Sequence, residues 1–428
     1  MKQHHRVLGM LAGLSIVTYL DRVCIAVAGP AMQDSLHISP QAWGWVTGVF
    51  FLSYGLFEIP TGALGDRIGP RRVLTRIVLW WSAFTSLTAF VTTYPLLLLV
   101  RFCFGAGEAG AYPNASIVIA RWIPAKNRAR AWGIVWMTSQ IGAALSPVIV
   151  VPLQMRYGWR ASFMVFGILG VVWAAVWSWW FRDRPHEMPG ITEEEVRDIG
   201  TERESVHGGV PWAEALRSPS LWYMTGISVC YVYVFGFFQA WLQTYLVRAH
   251  GFTSAALMLS SVPYVVGACA NGVGGVVTDR LVHRLGLRAG RRIVGMVGLS
   301  VAVVFLVATI FTTSGLWALV FLSLAYAGIL AQQPNLCSLT LDVGRRHAGA
   351  VFGFGNMASQ MASLTSSVAF GYVAEYFGNY NAPFVPMLVT LSLGIYFWSR
   401  VDPEREIFAA RPEPVFITPN VAADAHSA

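Results

Sequence analysis

Twelve predominantly apolar blocks of about twenty residues or more divide the chain, at roughly 7–31, 43–64, 73–93, 96–120, 130–153, 159–181, 219–247, 255–277, 293–312, 315–340, 348–375 and 383–400. At 1.5 Å per residue each is long enough to cross a hydrocarbon core about 30 Å thick as a helix. Composition agrees, because 55% of residues are hydrophobic and only 12% are charged, with a mean hydropathy of +0.54 that lies outside soluble norms. The expected fold is an all-α membrane protein of twelve transmembrane helices.

The net charge of +8 does not mark a nucleic-acid binder, since the basic residues sort by side of the membrane. One side collects Lys2 and Arg6; Arg67, Arg71, Arg72 and Arg76; Arg121, Lys126, Arg128 and Arg130; the arginines from Arg182 to Arg217 and from Arg280 to Arg292; and Arg345 and Arg346. The other keeps Arg156, Arg160 and Arg248. The positive-inside rule then places both termini in the cytoplasm. Lys2 to Ala28 mimics a signal peptide, but removing it would leave eleven spans and reverse the agreement with the charge bias. Cys24, Cys103, Cys230, Cys269 and Cys337 lie within spans without metal-ligand spacing, so neither a disulfide nor a metal site is expected.

An internal repeat organises the spans. Gly62-Ala63-Leu64-Gly65-Asp66-Arg67-Ile68-Gly69-Pro70-Arg71-Arg72 follows the second block, and Gly275-Val276-Val277-Thr278-Asp279-Arg280 follows the eighth. Arg128-Ala129-Arg130 after the fourth is echoed by Arg346-His347-Ala348 after the tenth. Two six-helix halves, 1–181 and 219–400, are the inferred architecture. Residues 182–218 form a cytoplasmic linker with a short helix over about 193–204, because Thr192 and Glu195 fit a capping box. Residues 401–428 read as a disordered cytoplasmic tail.

Asp21, Arg22, Arg101 and Glu108 fall inside the first and fourth spans. Intramembrane charges are expensive and normally face a water-filled cavity, where they meet a substrate or an ion. Each arginine travels with a carboxylate, Arg22 with Asp21 and Arg101 with Glu108. Arg101 and Glu108 are seven residues apart, so they share one helix face about 10 Å apart along the axis. A guanidinium offers a planar fork for a carboxylate, and a desolvated glutamate can take up a proton. The pattern points to a coupled anion site. Gly105-x-Gly107-x-x-Gly110 spells a dinucleotide fingerprint but sits mid-span, where such glycines serve helix packing instead.

The loop Gly62-x-Leu64-x-Asp66-Arg67-x-Gly69-x-Arg71 resembles the signature of the major facilitator superfamily, and the resemblance in layout covers essentially the whole chain. Tyr19-Leu20-Asp21-Arg22, Tyr54 with Ile59-Pro60-Thr61-Gly62, and Arg101 with Gly105 through Pro113 resemble its anion:cation symporter branch. That branch holds bacterial proton-coupled carriers of galactonate, glucarate and hexuronates. The resemblance implies proton-sensitive Glu108 and Asp21, substrate-side Arg22 and Arg101, and a conformational gate at Gly62, Asp66, Arg67, Gly69, Arg71, Asp279 and Arg280. It implies proton-coupled uptake of an aldonate, aldarate or hexuronate across a bacterial inner membrane, by a multi-pass monomer that has H+ as coupling ion and no cofactor.

Hydroxyl recognition needs donors and acceptors from other spans. Candidates are Tyr54, Gln140, Gln239, Trp241, Asn356 and Gln360, the last two sharing a helix face. Gln360 stands where relatives usually have asparagine, and Gln243 where they have proline, which bears on substrate rather than fold. Glu58, one turn beyond Tyr54, is expected to pair with cytoplasmic arginines, with a third proton site as the alternative. Drug antiport is disfavoured because Ile141 to Pro147 matches the antiporter pattern poorly. An antiporter or facilitator for a tartrate-like or aromatic acid is the alternative, and a non-transporting nutrient sensor the remote one. No nucleophile-base pair or metal cluster supports an enzyme.

Overall fold

The computed structural model describes residues 2–124, 127–199, 210–344 and 347–408, with the side chains of Asp66 and Ala129 outside the description. Among the described residues there is no strand. The helices are α1 (Gln3–Leu36), α2 (Pro40–Ile68), α3 (Pro70–Thr88), α4 (Tyr94–Glu108), α5 (Ala111–Trp122), α6 (Arg128–Tyr157), α7 (Trp159–Trp180), α8 (Glu193–Ile199), α9 (Trp212–Ala215), α10 (Pro219–Ala240), α11 (Leu242–His250), α12 (Val262–Leu285), α13 (Leu287–Phe311), α14 (Gly315–Ala331), α15 (Gln333–Gly344), α16 (Ala348–Phe377) and α17 (Phe384–Arg400).

Every apolar block holds helix, and among the described residues 7 segments are by themselves long and apolar enough to cross a membrane. Three blocks expected to be continuous are interrupted. The fourth breaks between α4 and α5, the seventh at Trp241 between α10 and α11, and the tenth at Gln332 between α14 and α15. The first break has a visible cause: Gly110 takes φ +88°, a left-handed conformation open to glycine at little steric cost, and it caps α5.

Packing repeats through the chain. In the first half α1 packs on α6, α2 on α4 and α3 on α7; in the second α10 packs on α16, α12 on α14 and α13 on α17. These are the same pairs by order in each half. The halves meet along α2 with α16 and, equivalently, α6 with α12. The α2–α3 and α12–α13 corners share a device too, Gly69 at φ +88° and Gly286 at φ +84°.

The molecule is charged within and apolar without. Asp21, Arg101 and Glu108 are buried, whereas Phe311 and Trp179 are 81% and 77% exposed. A broad exposed apolar surface of this kind is what a bilayer covers. Lipid is as apolar as leucine, so helix association rests on close packing. Along α2, a Cβ on Gly44 would stand 2.6 Å from the Ser367 carbonyl oxygen, and one on Gly48 would stand 3.0 Å from Leu364.

Hydrogen bonds between the halves concentrate at the end of the bundle away from the N-terminus. Gln33 donates to Thr244 at 3.0 Å, the Gln41 backbone N–H donates to Glu375 at 2.9 Å, and Arg248 pairs with Asp34. At the other end the linker helix α8 docks on α1. Thr192 accepts from the Glu195 backbone, as a capping box requires. Glu195 in turn takes the His4 backbone N–H at 2.9 Å and faces its Nδ1 at 2.7 Å. Burial alone would raise the Glu195 carboxyl, but hydrogen bonds from His4 and Gln3 outweigh it and hold it below the ordinary glutamate range. The helix expected to reach residue 204 is described to Ile199; residues 200–204 lie outside the described ones, as do Lys126, Arg345, Arg346 and the tail from 409. Residues 401–408, expected to be part of a disordered tail, are ordered: Ile407 donates to the Val343 carbonyl at 2.9 Å and Ser220 to the Arg405 carbonyl at 3.1 Å.

Candidate functional site

Three helices of the first half build a buried ion cluster. α1 supplies Tyr19, Asp21 and Arg22, α2 supplies Phe50 and Tyr54, and α4 supplies Arg101, Phe104 and Glu108. Arg22 Nε donates to Glu108 Oε1 at 2.5 Å, and the Glu108 side chain is 1% exposed. The same guanidinium lies 4.7 Å from the Tyr54 ring centroid and 5.3 Å from that of Phe50. Arg101 lies 5.1 Å from Phe50 and 4.8 Å from Phe104, so both arginines contact the Phe50 ring. Cation–π contact of this kind offsets part of the lost hydration.

The observed pairing follows from the helix spacing. Arg101 and Glu108 do not bond to each other, because seven residues on one helix leave about 10 Å along the axis. Glu108 instead ends α4, at the break, and reaches across to α1. Nor do Asp21 and Arg22 pair, since neighbours on a helix point about 100° apart. Both Asp21 carboxylate oxygens, the second oxygen of Glu108 and Arg101 Nε are buried without a hydrogen-bond partner. Asp21 and Arg101 remain within electrostatic reach of one another. Buried polar groups are normally satisfied, so this cluster has unused capacity for a proton or an anion.

The second half contributes no charge here. Gln140 on α6 accepts from the Tyr326 hydroxyl at 3.2 Å, which joins the halves at mid-bundle. Gln239 is buried with neither amide atom bonded. Trp241, expected to touch substrate, is fully buried; its ring stacks on Phe370 and its N–H donates to the Ser367 carbonyl at 3.1 Å. Both contacts lie within the second half. Glu58 bonds to Asn356 Nδ2 through both oxygens, at 2.8 and 2.7 Å, rather than to arginines. That contact occupies Asn356, and Gln360 packs its stem near Gly55.

In the expected gate motif Gly69 turns α2 into α3, and a Cβ there would stand 2.5 Å from Asp183. Asp183 accepts the Arg71 backbone N–H at 2.8 Å, and the Arg71 guanidinium bonds the Ser178 carbonyl. A Cβ on Gly62 would stand 3.0 Å from Pro113. Arg67 is exposed, as are Asp279 and Arg280 at the matching place on α12. The pairing expected of Asp66 lies outside the described side chains. Sequence reasoning missed Tyr326 and Phe50. A tyrosine or phenylalanine in an apolar block carries no signal of its own, and only its register against the charged residues sets it apart.

Comparison with known proteins agrees with this architecture. The Major Facilitator Superfamily model matches residues 11–367. The chain is 31% identical over 400 residues to the probable sulfoacetate transporter SauU of Cupriavidus necator, covering 92% of this chain and 93% of that protein. It is 26% identical to the hexuronate transporter of Bacillus subtilis, across 88% of each chain. It is 28% identical to the probable L-galactonate transporter of Escherichia coli, across 84% of this chain and 81% of the other. The crystal structure of a bacterial homolog of the human lysosomal transporter Spinster, inward-facing and unoccupied, shares the fold with a TM-score of 0.74 at 20% identity, covering 92% and 96% of the two chains. The chain therefore belongs to the Major Facilitator Superfamily, as a multi-pass membrane transporter and not an enzyme.

Proposed function

We propose that this transporter takes up a small organic anion together with protons, by alternating access between halves 1–181 and 219–400 joined by linker 182–218. The preferred substrate is a sugar acid of the aldonate, aldarate or hexuronate class. The reading has twelve spans, both termini in the cytoplasm, a bacterial inner (plasma) membrane and a monomer. The observation that carries it is the buried cluster, in which Arg22 is held by Glu108 while Asp21 and Arg101 keep unbonded polar atoms.

Charge balance supplies the mechanism. With both carboxylates ionised, two negative and two positive groups cancel, and an incoming anion finds little net attraction. A proton on Glu108 removes the partner of Arg22 and leaves the cluster with one net positive charge. The carboxylate of a substrate then takes the place that Glu108 held, the loaded site is again neutral, and the halves can rock at low electrostatic cost. Asp21, within reach of Arg101, does the same for a second proton or a second acidic group. The gate residues Gly62, Asp66, Arg67, Gly69, Arg71, Asp279 and Arg280 lie at the end where the halves would close in the opposite state.

The sulfoacetate carrier among the relatives supports a second reading at the same site, a short anion with a sulfonate and a carboxylate. The test is uptake into proteoliposomes of labelled galactonate, glucarate, glucuronate, glutamate and sulfoacetate, with and without an acid-outside gradient. Gradient-driven accumulation of one anion, abolished in Glu108→Gln while exchange persists, is the expected result. Accumulation that survives unchanged in Glu108→Gln would remove this residue from coupling.

A further inference from the structure

Gln239 and Tyr326 form an uncharged polar site in the second half that the ion cluster does not account for. Gln239, on α10, is 7% exposed and neither its amide nitrogen nor its amide oxygen has a partner. An amide buried without partners forfeits the hydrogen bonds it made in water, so an unmet Gln at the centre of a transporter points to a ligand group that meets it. The Tyr326 hydroxyl stands beside it, near enough for a weak polar contact with the amide but not for a well-formed hydrogen bond.

The ring of Tyr326 is held with little freedom. It lies 4.5 Å from the Phe238 ring and 5.6 Å edge-on from Tyr264, and a Cβ on Gly267 would stand 2.5 Å from its Cδ1. Only the hydroxyl reaches out, donating to Gln140 of the other half at 3.2 Å. That is longer than the roughly 2.5–3.0 Å usual for a hydroxyl donor, so the bond is weak and open to replacement, and the phenol oxygen has no well-formed donor to it. Tyr19 links this site to the ion cluster: its ring lies 5.4 Å from the Arg22 guanidinium, and its hydroxyl is within electrostatic reach of Tyr326.

We propose that Tyr326 and Gln239 read the hydroxyl groups of the substrate and so select a polyhydroxylated acid over a short anion that carries no hydroxyl. This rests on the transport reading above, with the substrate carboxylate at Arg22 and Arg101. The amide of Gln239 offers one donor group and one acceptor, and the phenol offers one of each. A substrate hydroxyl, itself donor and acceptor, matches both; a sulfonate or a methylene does not match the acceptor. Because the Tyr326–Gln140 bond spans the halves, a hydroxyl that inserts there also replaces a contact that must change during alternating access. A site built to hydrogen-bond a hydroxyl discriminates strongly against a ligand that lacks it.

The experiment compares galactonate and sulfoacetate on wild type, Tyr326→Phe and Gln239→Leu, by exchange in proteoliposomes and by ligand-induced thermal shift of the detergent-solubilised protein. Tyr326→Phe keeps the clamped ring, so it tests the hydroxyl alone. Expected is a wild-type preference for galactonate, read as the ratio of the two exchange rates, that falls about tenfold or more in each variant, with galactonate losing more than sulfoacetate. The proposal is overturned by a wild-type preference for sulfoacetate, by a preference that stays the same in both variants, or by equal losses for both anions. If no anion is exchanged the transport reading fails on its own; the thermal shift then decides this proposal, upheld if galactonate stabilises wild type but not Tyr326→Phe, and overturned if it stabilises neither or both.

Discussion

The two halves repeat the same packing and divide the chemistry. At the centre of the first half stand two arginines and two carboxylates; α10 and α14, which hold the places of α1 and α4, contain no charged residue. Their central polar groups are the amide of Gln239 and the phenol of Tyr326. A symmetric fold with an asymmetric interior separates two tasks. In the proposed mechanism charge supplies attraction and proton linkage, which act on any small anion of suitable size. Neutral donors and acceptors with fixed geometry supply selection, because they reward shape without adding net charge to a low-dielectric site.

The sharpest way to break this contrast is to remove a charge from the first half. Arg22→Gln leaves Glu108 buried without its partner, and breaking a buried pair from one side costs about 3–5 kcal/mol. Uptake should fall by more than about a hundredfold, a drop equivalent to about 3 kcal/mol, and the solubilised protein should melt at a lower temperature. Gln239→Leu should leave the melting temperature within a few degrees of wild type. Equal damage from both variants would end the division of labour.

Glu108→Gln should act less severely on the protein and more selectively on its cycle. The amide keeps the shape and can still accept from Arg22, but the cluster gains one permanent positive charge. Accumulation driven by a proton gradient should vanish, and exchange of the same anion, which needs no net proton movement, should persist. Measured side by side in proteoliposomes, the two activities separate coupling from binding.

How much of this was legible in the sequence follows from what each residue must tolerate. Asp21, Arg22, Arg101 and Glu108 were visible because a charge in an apolar block is expensive and therefore meaningful. Their pairing was not, since it depends on α4 stopping at Glu108, and the glycines of Gly105 to Gly110 read as packing positions in a continuous span rather than as a break. The loop after α2 stands out through its recurrence at Asp279 and Arg280, yet the role of Asp183 as acceptor for the corner depends on contact between residues 112 positions apart. Trp241 poses the opposite difficulty, since an aromatic residue beside a polar one has the same signature whether it binds or packs. Glu58 misled because its partner, Asn356, lies in the other half.

Backbone proximity offers a gentler comparison of the halves. A Cβ on Gly105 of α4 would stand 2.6 Å from the Phe50 carbonyl oxygen, and one on Gly274 of α12 would stand 2.0 Å from that of Ala331. Alanine at either position forces helices apart, at about 1–3 kcal/mol. Melting should drop in both variants. Gly105→Ala should also depress uptake of every anion, because it lies between Arg101 and Glu108, whereas Gly274→Ala should spare sulfoacetate. Loss of sulfoacetate uptake in Gly274→Ala would show that the second half shapes the charged site as well.

The smallest expected effect belongs to Trp241→Phe. The substitution keeps an aromatic ring against Phe370, now at 4.6 Å, and removes only the N–H that meets the Ser367 carbonyl. That carbonyl faces the α2–α16 seam, where it also lies against Gly44. Leaving it unmet costs about 1–3 kcal/mol, less where the α16 backbone already supplies a bond. A slight fall in melting temperature, with the galactonate to sulfoacetate ratio unchanged, is therefore expected from exchange assays run beside Tyr326→Phe. A ratio that moves as far in Trp241→Phe as in Tyr326→Phe would place this tryptophan with the hydroxyl-reading groups after all, and would extend the selective surface from α10 across the break into α11.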